Sequence, residues 1–260
     1  MVDMAVDTQE LEAKVQQMYR EVALHPDAGF HFELGRDLAE SVGYDPARLD
    51  LVPVDAVASF AGVGHFFDLA DPRPGETVLD LGSGSGMDVF YAATLVGTSG
   101  KVIGVDFTPE QLAKARRLAA GHADAATIEF REGRLDDVPV EDGTVDCVIS
   151  NGVINLCPDK ALVFAEAARV LRPEGRLALA DIVTDVPLAE GIVCNADLWA
   201  ACIGGAAQID DYVAAIEKAG LVVEVMRRNR YGFLSARAQG AAKTYGVRSI
   251  SLLARRAGMS

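Results

Sequence analysis

The sequence is poor in the features that mark most specialised protein classes. Its 260 residues include four cysteines (Cys147, Cys157, Cys194 and Cys202), too few for a disulfide scaffold at this length. None forms a C-x-x-C pair, so structural zinc and thioredoxin-like chemistry are disfavoured and no metal ligand set is expected. No apolar run reaches the roughly 18 residues of a transmembrane helix, so no membrane association is expected. The start, MVDMAVDTQELEAKV, lacks the basic-then-apolar layout of a signal peptide, and the cytoplasm is the expected compartment. Positive charge is scarce: 24 Lys and Arg face 38 Asp and Glu, a net −14. Phosphates repel so acidic a surface, and nucleic-acid binding by bulk charge is excluded. An apolar content of 50% excludes disorder as the main state.

The length suits one large domain, or a domain with an appended lid. There are no repeats, and nothing fixes an oligomeric state. Charge is uneven, because residues 225–260 hold eight Lys and Arg and no acid. The plain reading is a solvated surface with internal ion pairing.

Helical spacing of Leu11, Val15, Met18 and Val22 predicts a helix over residues 8–24, ended by His25-Pro26. A second short helix is expected over 34–43, then a proline-punctuated, loop-rich stretch to residue 75. From Thr77 strands and helices alternate. Strands are expected at 77–81, 101–105, 127–131, 144–150, 176–182, 221–227 and 247–254. Helices are expected to about Val96, from a Thr108 cap to Gly121, over 159–171 and over 210–219. The alternation implies an α/β fold: a Rossmann-like, doubly wound, mostly parallel seven-stranded sheet. The last two strands have no clear helix between them and suggest an antiparallel edge. Residues 1–72 read as an N-terminal helical lid covering the substrate, and 73–260 as the core.

The stretch VLDLGSGSGMD (78–88) places Gly82, Gly84 and Gly86 between a strand and a helix. Glycine permits the tight turn and lets backbone approach a ligand. A dinucleotide fingerprint, G-x-G-x-x-G, would need glycine at Met87, so a nicotinamide-dependent oxidoreductase is disfavoured. No phosphate-binding Gly-Lys-Ser/Thr follows. Asp106 ends the next strand, where a carboxylate accepts hydrogen bonds from ribose hydroxyls. Together these features indicate a nucleoside-containing ligand at the carboxyl ends of the strands.

The DLGSGSG run with Asp106 resembles the S-adenosylmethionine (SAM) site of class I methyltransferases. The resemblance implies that Asp80, Gly82, Ser83, Gly84 and Gly86 line the methionine and ribose part. It also implies that Asp106 holds the ribose, Phe107 packs near the adenine, and Arg134 and Leu135 lie at the adenine edge. Ser150 and Asn151 would face the transferred methyl. Finer motifs resemble the arsenite methyltransferases: SNGVINLCPDK (150–160), ADIVT (180–184), LWAACIGGA (198–206) and Gly62-Val63-Gly64. That family places arsenic-binding cysteines in three of these motifs. Here Cys202 keeps one, while Gly152 and Val63 stand at the other two.

Trivalent arsenic is soft and is held by thiolates, and a lone thiolate chelates it poorly. The preferred reading is therefore a small-molecule methyltransferase that kept the framework and took another acceptor. Arsenite itself, carbon methylation of a quinone-like metabolite, and SAM binding without transfer stay open. Cys202 and Asn151 are candidate catalytic residues. Asp181, His65 and His31 are candidate bases for an acceptor that must lose a proton. Cys147 reads as a small core hydrophobe, and Cys157 lies in a loop without an evident partner. The aromatic residues Tyr19, Phe30, Phe32, Phe66 and Phe67 suggest that the lid excludes water.

Overall fold

A computed structural model describes residues 8–30, 32–193, 199, 203–234 and 236–258. The N-terminal segment carries α1 (Thr8–Leu24), α2 (Gly35–Val42), α3 (Pro46–Leu49), α4 (Val54–Ala58) and α5 (Phe67–Ala70). The core follows as β1 (Thr77–Leu81), α6 (Met87–Val96), β2 (Lys101–Asp106), α7 (Pro109–Ala120), β3 (Ile128–Glu132) and β4 (Val145–Asn151). Beyond a 3-10 turn at Ile154–Leu156 come α8 (Lys160–Val170), β5 (Leu171–Thr184), α9 (Glu190–Val193) and β6 (Ala207–Gln208). The chain ends in α10 (Ile209–Lys218), β7 (Leu221–Arg228), α11 (Ala236–Tyr245) and β8 (Arg248–Arg256).

The sheet order is β3-β2-β1-β4-β5-β8-β7, with β6 beside β5. The chain winds outward from β1 in both directions, as a doubly wound fold does. The seven long strands are those expected, and the two-residue β6 makes eight. The antiparallel member is β8, one place in from the edge, because it inserts between β5 and β7 and runs against both. β1 and β4 are buried along most of their length, as strands covered on both faces must be.

Three local expectations are corrected. The stretch 44–75 holds three short helices. One is started by Asp45, whose carboxylate accepts from the Ala47 N–H at 3.0 Å. A helix, α11, does separate the last two strands; its sequence, ARAQGAAKTY, is mixed and glycine-interrupted and shows little periodicity. Thr108 starts α7 without a side-chain cap on the helix; its own N–H donates to Asp106 at 2.8 Å instead.

The basic end pairs with the acidic body. Arg227 clasps Asp68 at 2.5 and 2.7 Å, Arg255 meets Glu224 at 2.9 Å, and Arg248 pairs with Asp185. Cys147 is fully buried in β4, where burial pushes its thiol up to about 12. Among the described residues no helix is long and apolar enough to cross a membrane.

Candidate functional site

Strands β1, β2 and β4 end together, and their carboxyl ends open into a cleft of about 1210 Å³, counting its mouth. The turn after β1 forms because Gly82 adopts φ +77°, a region closed to most side chains, and its N–H donates to the Val105 carbonyl at 2.8 Å. A Cβ there would also run into Val153, whose own Cβ lies 2.9 Å away. Gly84, at φ +51°, faces open space: a Cβ on it would meet nothing nearer than Gln111 at 3.7 Å. Backbone is thus bared toward the cleft.

Three of the acids that line it are buried, one each from β1, α6 and β2: Asp80, Asp88 and Asp106, only 2%, 5% and 8% exposed. Asp106 is partly compensated. It accepts from the Gly84 N–H at 2.9 Å and the Thr108 N–H at 2.8 Å, which oppose the rise that burial imposes on its proton affinity. Asp88 accepts from the Tyr44 hydroxyl at 2.6 Å and from Asn151 Nδ2 at 3.2 Å, and burial pushes it up to about 6. Asp80 has no hydrogen-bond donor among the described residues. Burial and its two acidic neighbours hold its proton affinity well above the usual carboxylate range. Among the described residues the one basic side chain lining the cleft, Arg134, is already held by Glu12 at 2.7 and 2.9 Å and by Asp136 at 2.9 Å. Ser83 Oγ is buried without a hydrogen-bond partner among the described residues.

Buried charge without a counter-charge is costly, so this cleft is built for a ligand that brings positive charge and donors. SAM fits: it carries a sulfonium, an ammonium and a ribose. The residues that would hold it are Asp80, the Gly82–Gly84 backbone, Ser83, Asp106 and the apolar walls Phe107 and Leu135. Gly86 lies beside the cleft rather than on it, packed against Phe90 and Phe130, where it starts α6 at φ +93°.

Other expected site residues are drawn elsewhere. Ser150 points into the sheet, its hydroxyl donating to the Leu81 carbonyl at 2.9 Å, and does not line the cleft. Asp181 is likewise off the cleft. It accepts from Tyr212 at 2.7 Å and from its neighbour's N–H, and burial pushes it up to about 6. His65 packs on Tyr44 and lies 3.3 Å from Asp68, away from the cleft, and burial lowers its proton affinity. Asn151 does line the cleft, but its amide is fully engaged: its two N–H hydrogens are shared among Tyr44, Gly64 and Asp88, and its oxygen accepts from the Val63 N–H. Cys202, Cys194 and His31 lie outside the described residues. Cys157 reaches the cleft wall, and burial pushes its thiol up to about 12, so it is held as a thiol rather than a thiolate.

Tyr44, Asp88 and Gln111 were not singled out in the sequence. Gln111 accepts from Ser85 at 2.5 Å and donates to the Tyr19 carbonyl at 2.8 Å, tying the glycine loop to α1. Through Leu11, Glu12, Val15 and Tyr19, α1 forms one side of the cleft, and Gln16 donates to the Phe107 carbonyl at 3.2 Å.

Known proteins give the same reading. An arsenite methyltransferase from Halobacterium salinarum is 44% identical over 182 residues, which is 70% of this chain and 46% of that protein. The crystal structure of an arsenic(III) S-adenosylmethionine methyltransferase from Chlamydomonas reinhardtii superposes with a TM-score of 0.64 at 29% identity, covering 87% of this chain and 75% of that one. A geranyl diphosphate methyltransferase shares the fold, with a TM-score of 0.68 at 18% identity, covering 95% and 99%. The chain spans less than half the length of the curated arsenite methyltransferases it matches in sequence. A family model described as a methyltransferase domain matches residues 72–220, more than half of the chain. The protein belongs to the methyltransferase domain family, and within that family its sequence is arsenite-methyltransferase-like.

Proposed function

We propose that this chain transfers a methyl group from SAM to a small-molecule acceptor other than arsenite, in the cytoplasm and without a nucleic-acid partner. The observation that carries the cofactor is Asp80, buried at the glycine loop with no donor on it among the described residues. When bound, SAM supplies a methyl group on a positively charged sulfur. The chain's own residues bind and orient it. The backbone of the glycine loop approaches one side and α1 closes the other. In-line displacement needs the reacting atoms held at roughly 3–3.5 Å in a dry site, an alignment worth about 7–11 kcal/mol.

The acceptor reading rests on Val63 and Gly152. These are the two positions where the arsenite methyltransferase resemblance expects thiols, and they pack against each other: a Cβ on Gly152 would lie 3.2 Å from Val63 Cγ1. Neither residue carries a thiol, and burial holds the cleft's Cys157 as a neutral thiol. Residues 1–72 act in this reading as the lid over the site. The test is formation of S-adenosylhomocysteine with a panel of acceptors, arsenite plus thiol among them. Turnover with a carbon, oxygen or nitrogen acceptor and none with arsenite is expected. The second reading, arsenite methylation, draws on the identity to the Halobacterium enzyme. It wins if arsenite is methylated and Cys202→Ser abolishes that activity. A protein that binds SAM but forms no S-adenosylhomocysteine with any acceptor is a binder only.

A further inference from the structure

Asp88 joins three parts of the chain that are far apart in sequence. It sits in the first turn of α6 and lines the cleft. Tyr44, from the loop before α3, donates to one oxygen at 2.6 Å, and Asn151, at the end of β4, donates to the other at 3.2 Å. Asn151 Nδ2 also lies 3.0 Å from both the Tyr44 oxygen and the Gly64 carbonyl, so it shares two hydrogens among three acceptors, and Tyr44 is the stronger of the two holds on the carboxylate. Tyr44 is itself locked edge-on against Phe60, His65, Phe67 and Tyr91. Every donor on Asp88 is neutral. A carboxylate held in place, turned to a cleft and left without a cation is an electrostatic element aimed at a ligand's charge. The partnerless Ser83 Oγ in the same cleft marks a second polar group waiting for that ligand.

The three acids are not equivalent. Asp106 spends its oxygens on the Gly84 and Thr108 N–H groups at the nucleoside end. Asp88 is held instead by the Tyr44 hydroxyl and the Asn151 amide, and it shares the cleft lining with Asn151 and Gly62. Methyl transfer removes the positive charge of the sulfonium and leaves the rest of the cofactor unchanged. Resting on the SAM reading above, we propose that Asp88, positioned by Tyr44 and Asn151, makes the cleft prefer the cationic cofactor over its neutral product, and so favours product release.

Among the described residues, the groups that act on Asp88 are Asp80 from β1, Tyr44 with His65 behind it, Tyr91 one turn along α6, and the neutral Asn151. None is a cation that would mask the discrimination while His65 is neutral, and burial favours that neutral form. Burial pushes Asp88 up to about 6, so the preference is expected to grow as pH rises through that value.

The experiment is titration calorimetry of the full chain with SAM and with S-adenosylhomocysteine between pH 5 and 8. In Asp88→Asn the SAM-to-product affinity ratio is expected to fall about tenfold at pH 8, with product affinity unchanged. Asp106→Asn is expected to weaken both ligands alike. In Tyr44→Phe the lost hydrogen bond raises the proton affinity of Asp88, so the pH midpoint of the ratio moves up. An unchanged ratio in Asp88→Asn, or an unmoved midpoint in Tyr44→Phe, overturns the proposal. If the unmodified chain binds neither ligand, the SAM reading falls, and the proposal with it.

Discussion

The two ends of the sheet handle buried charge in opposite ways. At the amino ends of the strands every buried ion has its partner. Arg176 is held by Glu76 at 2.6 and 3.1 Å and by the Asp71 carbonyl at 2.8 Å, and it also donates to the Ala70 carbonyl. Arg172 pairs with Asp146 beside it, and the Thr77 N–H donates to the other Asp146 oxygen at 2.7 Å. At the carboxyl ends, among the described residues, Asp80 has no donor, Asp88 has only neutral ones, and the nearby Arg134 is taken by Glu12 and Asp136. Matched charge is structure, and removing one partner strands the other. Unmatched charge is a cost that a ligand relieves.

Four experiments break or sharpen this contrast. The largest effect is expected from deleting residues 1–30. The deletion strips Leu11, Glu12, Val15 and Tyr19 from the cleft, and turnover should vanish while the far-ultraviolet circular dichroism of the core persists. Unchanged turnover would remove α1 from the mechanism. Next, Arg176→Met leaves Glu76 without its partner and should cost about 3 kcal/mol in denaturant unfolding, with SAM affinity unaltered. Asp80→Asn should act in reverse, weakening SAM binding by about tenfold or more in calorimetry while stabilising the apoprotein.

The sign of that stabilisation depends on pH. The folded-state proton affinities of Asp80 and Asp88 are raised, so the native state binds more protons than the unfolded chain. Their contribution falls as pH climbs above the unfolded carboxylate value near 4. For Asp88 the fall is complete a little above pH 6. The gap in melting temperature between each Asn variant and the parent should widen across that window. Smallest is Glu12→Gln. It loosens a half-exposed clasp on Arg134 and should cost under about 1 kcal/mol.

The same contrast explains what could be read from the sequence. The glycine loop and Asp106 were legible because their geometry is local: a strand, a turn that demands glycine, a helix, and the acid that ends the next strand. Asp88 was not. It lies on a helix buried almost all round, so no amphipathic pattern marks it, and its partner Tyr44 is 44 residues away. Asp181 and His65 look like bases in one dimension, and only the fold reveals that Tyr212 and Asp68 hold them off the cleft. Asn151 stands where the resemblance placed it, but its amide is engaged with the loop at Val63–Gly64 and with Tyr44, contacts spanning 87 to 107 residues.

The central claim is that the unmatched acids at the carboxyl end of the sheet exist for a cationic nucleoside cofactor. Calorimetric titration of the intact chain with SAM at neutral pH, with a nicotinamide dinucleotide in parallel, tests it most directly. Saturable SAM binding that is lost on combining Asp80→Asn with Asp88→Asn, and no dinucleotide binding, is the expected result. SAM binding that survives the double substitution unchanged, or no SAM binding at all, would contradict it.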